Sequence, residues 1–340
     1  MTAMNITGLP HRIYSGKISG AGHVQGIATD GEYMYYSFTT LLLKTDLEGN
    51  PIGSVTGLTG HLGCIAWSDA DHTVIGSLEY KNDAIGRGLL AGLGRNDINP
   101  DVFYIARFDV GRITEMNMDA ASSGIMTVAK LEDVCEDYSF DDGKIKHRFV
   151  CSGIDGITIV PDFEGARSIL VAYGIYGDNS RTDNDDQVLL RFDAAKIADS
   201  FGKLDPSGRG AGIRADDKLF VRTGNTTYGI QNLEFDSYTG CIFAAVYEGH
   251  KPQYPNYKMF FIDPKPYASE GVRRLPLAGR GETDAATGIR GCNFPHGSTG
   301  MIALGGGYYY FSEPGSTPDG EQYTNICLYR LEGDCGFVRI

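Results

Sequence analysis

Gly22–Thr56 reads GHVQGIATDGEYMYYSFTTLLLKTDLEGNPIGSVT. Aromatic and β-branched runs alternate here with Gly, Asn and Asp clusters. The former suit a half-buried pleated surface, the latter suit turns. The pattern predicts four short strands in succession: His23–Asp30, Tyr33–Phe38, Leu41–Asp46 and Pro51–Val55, with a turn at Gly31-Glu32.

The same unit recurs along the chain. Its third strand is marked by apolar residues, a base, one residue and an acid, as in Leu43-Lys44-Thr45-Asp46. The mark returns at Ala106–Asp109, Leu190–Asp193 and Tyr329–Glu332, and without the base at Phe260–Asp263. The first strand, Gly22–Ile27, is matched by Gly60–Ile65, Ser152–Ile157, Tyr228–Leu233 and, more loosely, His296–Met301. Second strands follow at Thr73–Glu79, Ser168–Tyr173, Cys241–Glu248 and Tyr308–Glu313. Fourth strands are expected at Ile125–Lys130, Lys218–Arg222, Val272–Leu277 and Phe337–Ile340. Five copies of a four-stranded antiparallel meander predict an all-β chain, a five-bladed β-propeller in one domain over residues 1–340. The blades fall at about 22–56, 60–130, 152–222, 228–277 and 296–340. His11–Ile18 reads as one more strand, and closing the ring along the last blade is one placement for it.

Composition agrees, with 46 glycines and 20 tyrosines in 340 residues favouring turns and strands over helices. A net charge of −13 argues against nucleic acid or an anionic membrane as partner. No apolar run reaches the ~18 residues of a membrane span. Seven cysteines without a C-x-x-C pair read as reduced, buried thiols and give a cytoplasmic expectation; a removed signal peptide stays open. No cofactor is expected, and a metal held by the histidines with Asp155 and a glutamate is only the minority alternative, because H-E-x-x-H, H-x-H and cysteine ligand spacings are missing. Residues 178–186 (DNSRTDNDD) lack the closing glutamate of an EF-hand and read as a hairpin tip. No G-x-S-x-G nucleophile elbow is present. Oligomeric state is left open.

The blades differ mainly between strands two and three. That loop is Thr39-Thr40 in blade one, and about 80–101, 174–186, 249–256 and 314–324 in the others. Strand direction alternates, so these loops and the starts of the first strands open on one face around the channel, where propellers place ligands. First-strand starts bring His23, Gln25, His61, Asp155, Gln231, Asn232 and Thr299 to this mouth, with Asn293 and His296 just before the last one. Second-strand ends add Tyr173, Glu79, Glu248 and Glu313. Partly desolvated rim glutamates have the raised pKa of a general acid, and the histidines suit a base. Glu79, Glu248, Glu313, His23, His61 and Asp155 are therefore the catalytic candidates. Strand-end glutamates as solvated boundaries, and Gly-His as a structural bond, are the competing readings. Gln25, Tyr173, Gln231, Asn232, Asn293 and His296 are ligand-binding candidates. Lys81 and Arg87 join them, from the glycine-rich loop 81–95 that is read either as a grip on an anionic group or as a solvated lid. Tyr254, Tyr257 and Tyr323 are placed to stack on sugar rings or to pack.

The repeats resemble those of five-bladed β-propeller proteins over nearly the whole chain, and their layout is similar to that of propeller-fold carbohydrate-active enzymes. Glycoside hydrolases of this form, acting on furanosides and related sugars, draw acidic residues from successive first strands. The matching positions here hold Gln25, Gly63, Asp155, Gln231 and Thr299, so only Asp155 fits. Propeller-fold polysaccharide lyases use His and Tyr as base and acid, with which His23, His61 and Tyr173 are compatible. The resemblance implies a carbohydrate-active hydrolase or lyase with a small-molecule or glycan ligand. The alternative is a non-catalytic scaffold that binds a ligand or partner.

Overall fold

The four strands of the first unit form at Val24–Thr29, Tyr33–Phe38, Leu41–Asp46 and Pro51–Thr56, each antiparallel to the next. The computed structural model, which describes residues 8–205 and 207–340, repeats this sheet around an axis to give a five-bladed β-propeller. The innermost strands are Val24–Thr29, His61–Ser68, Cys151–Phe163, Thr226–Asp236 and Met301–Gly305. Each packs on the next, and the last packs on the first.

All six residues of Val24–Thr29 are buried. The cause is that the apolar cores lie between blades rather than within them. Five clusters fill the five gaps: Tyr35 and Leu42 meet Leu62 and Phe108; Ile105 meets Ile157; Leu170 meets Ile242; Phe243 meets Tyr309; Tyr36 meets Ile326. A strand covered on both faces loses the apolar/polar alternation of a one-sided sheet. Two glycines bring neighbouring inner strands close to one another. A Cβ on Gly26 would stand 2.8 Å from the Ile65 nitrogen, and one on Gly300 would stand 3.0 Å from the Ile27 nitrogen.

Several details differ from the expected four-strand pattern. The sheets hold five, four, six, three and five strands in blade order. Val272–Arg274 does not complete blade four. It pairs in parallel with Asp217–Arg222 of blade three, because Arg273 reaches Asp217 and Glu164 (2.6 Å each) and Arg274 reaches Asp186 (2.9 Å). Blade four keeps three strands, flanked by single bridges from Leu277 and Cys292. The inner strand of blade five begins at Met301, after a turn in which Gly297 and Gly300 have φ of +110° and +131°. The outer edge of that blade is shared: Arg12–Tyr14 and Gly336–Arg339 both pair with Gln322–Glu332.

The insertions between second and third strands hold one another on one face. The loop of blade two contains a helix, Ala84–Gly92, capped by Asp83. Tyr176 of blade three donates to the Asp83 carboxylate (3.0 Å), and Lys251 of blade four reaches Asn184 (2.8 Å) and Asp185 (2.6 Å) of blade three. A second helix, Glu132–Ser139, packs beneath blade three, where Asp137 collects Arg148, Lys218 and the Tyr173 hydroxyl. Residues 194–197 form a short helix.

Candidate functional site

Four inner strands slip register at one repeat position: between Val24 and Gly26, Leu62 and Ile65, Ile154 and Ile157, and twice between Thr227 and Asn232. A bulge frees a residue from the ladder and re-aims its side chain. These bulges carry Gln25, Gly63, Asp155 and Gln231.

Asp155 is the least satisfied of the charged candidates. Its Oδ1 is buried and has no hydrogen-bond partner, while its backbone carbonyl accepts from the Ser77 hydroxyl (2.5 Å). Burial raises its carboxyl well above the usual carboxylate range, and the charge of Glu79 raises it further. A carboxyl in that position stays protonated where an ordinary aspartate has ionised. The nearby Tyr247 phenol is pushed up to about 12 by burial and by Asp155.

Glu79 faces His61 across the ladder of blade two. Its Oε1 lies 2.6 Å from the Lys81 ammonium, and its Oε2 accepts from the Ile154 N–H (3.0 Å). Burial raises the Glu79 carboxyl, and Lys81 and the N–H oppose that rise. Burial would lower Lys81, but Glu79 and Asp83 bring it above its ordinary value. With two donors on the carboxylate and Lys81 also bonded to the Ser152 carbonyl (2.8 Å), the pair is ionised at neutral pH. His61 lies 3.6 Å from Glu79, yet burial, then the Lys81 charge, lower it to about 3. That contact therefore holds a neutral imidazole.

The other glutamates are separate. Glu248 is 54% exposed and pairs with Lys258 (3.2 Å). Glu313 accepts from the Tyr329 hydroxyl (2.7 Å) and from Arg339 (3.1 Å). Burial would raise it, but these donors hold it below its ordinary value.

A cavity of about 380 Å³ opens beside the channel between blades four, five and one. His23, Tyr247, His296, Ser298, Thr299, Ser312, Ser316 and Gln322 line it, with Pro295, Pro314 and Gly315. Its wall includes hydroxyls: Thr299 lies 3.3 Å from Ser312, which is tied at 2.8 Å to Thr324 outside the lining. No carboxylate or ammonium is among the lining residues. Burial lowers His23 and His296, so both rings are neutral at pH 7 and each has acceptor capacity. Gln25 Nε2 lies 3.1 Å from His23 Nε2 and donates to the Thr39 hydroxyl (3.1 Å).

The remaining candidates are placed as follows. Asn232 donates to the Gln25 and Ser298 carbonyls (2.8 and 2.9 Å) and ties three blades together. Gln231 donates to the Tyr228 carbonyl (3.1 Å), and Asn293 is exposed. Tyr173 is fully buried, with its hydroxyl on Asp137 (2.8 Å). Lys81 is held inside by its ion pair, and exposed Arg87 donates to the Asn82 carbonyl of its own loop. Tyr254 donates to Asp185 (2.7 Å), Tyr257 is buried and Tyr323 packs on Tyr14. Among the described residues no cluster has the make-up of a metal site.

Tyr247, Ser298, Ser312, Ser316 and Gln322 were not legible as site residues. Tyr247 had a signal: side chains alternate along a strand, so if Glu248 points to solvent its neighbour points the other way. The serines and Gln322 meet only through the folding of blade five.

No family model matches the chain, and no curated protein matches it. Solved structures do. A β-1,3-galactosidase of glycoside hydrolase family 43 with galactodeoxynojirimycin is 11% identical at a TM-score of 0.44, over 96% of this chain and 97% of that one. Glutaminyl cyclase from Myxococcus xanthus is 11% identical at 0.38, over 94% and 98%. The Dos1 propeller is 12% identical at 0.37, over 85% of this chain and 52% of that one, about half its length. At such identities and TM-scores these matches assign no chemistry to this chain.

Proposed function

We propose that this propeller is a carbohydrate-active hydrolase that takes a neutral sugar at the channel mouth. The observation that carries the reading is the buried, unpartnered Oδ1 of Asp155, on a carboxyl raised well above its ordinary range. A protonated carboxyl with a free oxygen is what a glycosidic leaving group needs from a general acid. His23, on the cavity wall and neutral, is the base that takes a proton from water. The hydroxyl wall offers donors and acceptors to sugar hydroxyls. Its lack of an exposed ammonium argues for a neutral sugar over an acidic one, since Lys81 is engaged by Glu79.

The test is turnover of a panel of neutral oligosaccharides, followed by the release of new reducing ends. Asp155→Asn is expected to lower kcat at least 100-fold with the fold intact. Full activity in that variant overturns the assignment.

A second reading, a non-catalytic sugar-binding scaffold, is favoured by the absence of any carboxylate from the cavity lining. It is supported if calorimetry finds saturable binding of an oligosaccharide from which no product forms.

A further inference from the structure

At the repeat position of the inner-strand bulges, blades one, three, four and five carry a side chain, Gln25, Asp155, Gln231 and Thr299, and blade two carries Gly63. The backbone of Gly63 lies outside the left-handed region, so nothing in its conformation calls for glycine. Space does. A Cβ on Gly63 would overlap Asp155 Oδ1 and stand 2.6 Å from Ser77 Oγ and 3.3 Å from Asp155 Cγ. The Asp155 carboxyl thus leans across from blade three into the niche that the missing side chain leaves. Both backbones are pinned there. Ser37 Oγ donates to the Gly63 carbonyl (2.6 Å) and Ser77 Oγ to the Asp155 carbonyl (2.5 Å), and both serines are buried. With the Ser77 hydrogen engaged by that carbonyl, and no side-chain donor on a glycine, Oδ1 is left without a partner.

We propose that Gly63 is the positioning residue of Asp155: its bare Cα opens the niche that holds the carboxyl in its buried, unpartnered place. The effect on turnover rests on the reading of Asp155 as the general acid; the niche itself does not. The neighbours of Gly63 decide how a methyl there is accommodated. The backbone on either side is latched to the preceding blade, whereas the Asp155 side chain can rotate away. A methyl therefore expels the carboxyl rather than parting the strands. Gly26 is the contrast, since a Cβ on it meets the backbone of Cys64 and Ile65. The titratable groups that bear on the Asp155 carboxyl are Glu79 and Lys81 at the end of the second strand of blade two, Cys64 beside Gly63, and Tyr247 of blade four. None of them supplies the atoms nearest a methyl at position 63, so a change in Asp155 ionisation there reports the displacement of Asp155 itself.

The experiment follows the Asp155 carboxyl carbon of the full-length protein by NMR through a pH titration, its signal assigned by its loss in Asp155→Asn. In Gly63→Ala the carboxyl, moved out of its niche, is expected to ionise at lower pH than in the wild type. On the panel of neutral oligosaccharides kcat is expected to fall roughly 100-fold with KM within about threefold, and the alkaline limb of the kcat profile to move to lower pH. Melting curves give a second measurement. Gly63→Ala is expected to lower Tm by about 5 °C alone and by less than about 2 °C in an Asp155→Ala background, where nothing fills the niche. The proposal is overturned if Asp155 in Gly63→Ala ionises as in the wild type or at higher pH. It is equally overturned if the methyl costs as much Tm in both backgrounds, or prevents folding in both. If the niche results hold and the wild type turns over no sugar, the positioning stands and the hydrolase reading alone falls. Full turnover by a Gly63→Ala protein with a displaced carboxyl would remove Asp155 from the chemistry and leave it in the niche.

Discussion

The Lys81 ammonium lies 2.6 Å from the Glu79 carboxylate at a site where both side chains are only 6% exposed. Residue type alone pointed to a ligand-gripping base beside a catalytic acid. Geometry makes them each other's partner.

Removing one member strands the other. Glu79→Gln leaves a buried ammonium without its counter-charge and is expected to cost about 3–5 kcal/mol. The double variant Glu79→Gln/Lys81→Met, with no buried charge left there, is expected to recover most of that loss. Urea unfolding of the four proteins in the cycle measures it, and a double variant no better than the single one would show that the pair is not coupled.

His61 sets an acid limit. Its folded pKa of about 3 lies below the unfolded value of 6.5, so the unfolded chain binds the extra proton between them. The stability contributed by the neutral ring is present above pH 6.5 and is lost as pH falls toward 3. His61→Asn is expected to lose roughly 2 kcal/mol less than the wild type between pH 7 and pH 4, read from melting curves at each pH.

Glu234 acts in the opposite direction. Burial lifts its carboxyl to about 8 from 4.5, and its Oε1 accepts the Ala303 N–H at 2.8 Å. The folded state keeps a proton that the unfolded state releases, so its contribution is complete below pH 4.5 and disappears as pH rises through 8. Glu234→Gln keeps the acceptor without the charge. Relative to wild type it is expected to gain on the order of 2 kcal/mol between pH 5 and pH 8. Parallel pH–stability curves for the two proteins would rule this out.

Gly26→Ala places a methyl 2.8 Å from the Ile65 nitrogen and 2.9 Å from the Cys64 Cα, both on backbone that cannot retreat without moving a blade. A loss of about 2–4 kcal/mol is expected. Gly88→Ala, in open space on the helix of blade two, is the control and is expected to change stability by less than about 1 kcal/mol.

The blade count was legible because Leu43–Asp46 and its copies recur in constant order after a first and a second strand, and a repeat propagates one reading five times. Blade one was legible nearly to the residue because its turns are short, although its last strand also pairs with Met118–Asp119 of the blade-two segment. The edge of blade four was not. Val272–Arg274 has the pattern of a strand, but sequence pattern does not say which sheet's carboxylates Arg273 and Arg274 will meet. The site divides in the same way. His23, His296 and Thr299 could be placed at the mouth from the repeat alone. Whether Glu79, Glu248 and Glu313 act together could not, because their partners Lys81, Lys258 and Arg339 come from a loop, the bend before a third strand and a last hairpin that the repeat does not relate. Tyr173 satisfies the pattern of a rim residue while serving the Asp137 hub, which belongs to an insertion outside the repeat.

The seam at Arg12–Tyr14 has a consequence for how the protein is made. These three residues leave the ribosome long before the strand they bind, Gln322–Glu332. Until then the flank of blade one that carries Tyr36 and Phe38 has nothing to cover it. A nascent chain with four finished blades is therefore an open crescent with a sticky end, and it is in that interval, not in the finished ring, that aggregation has its opportunity.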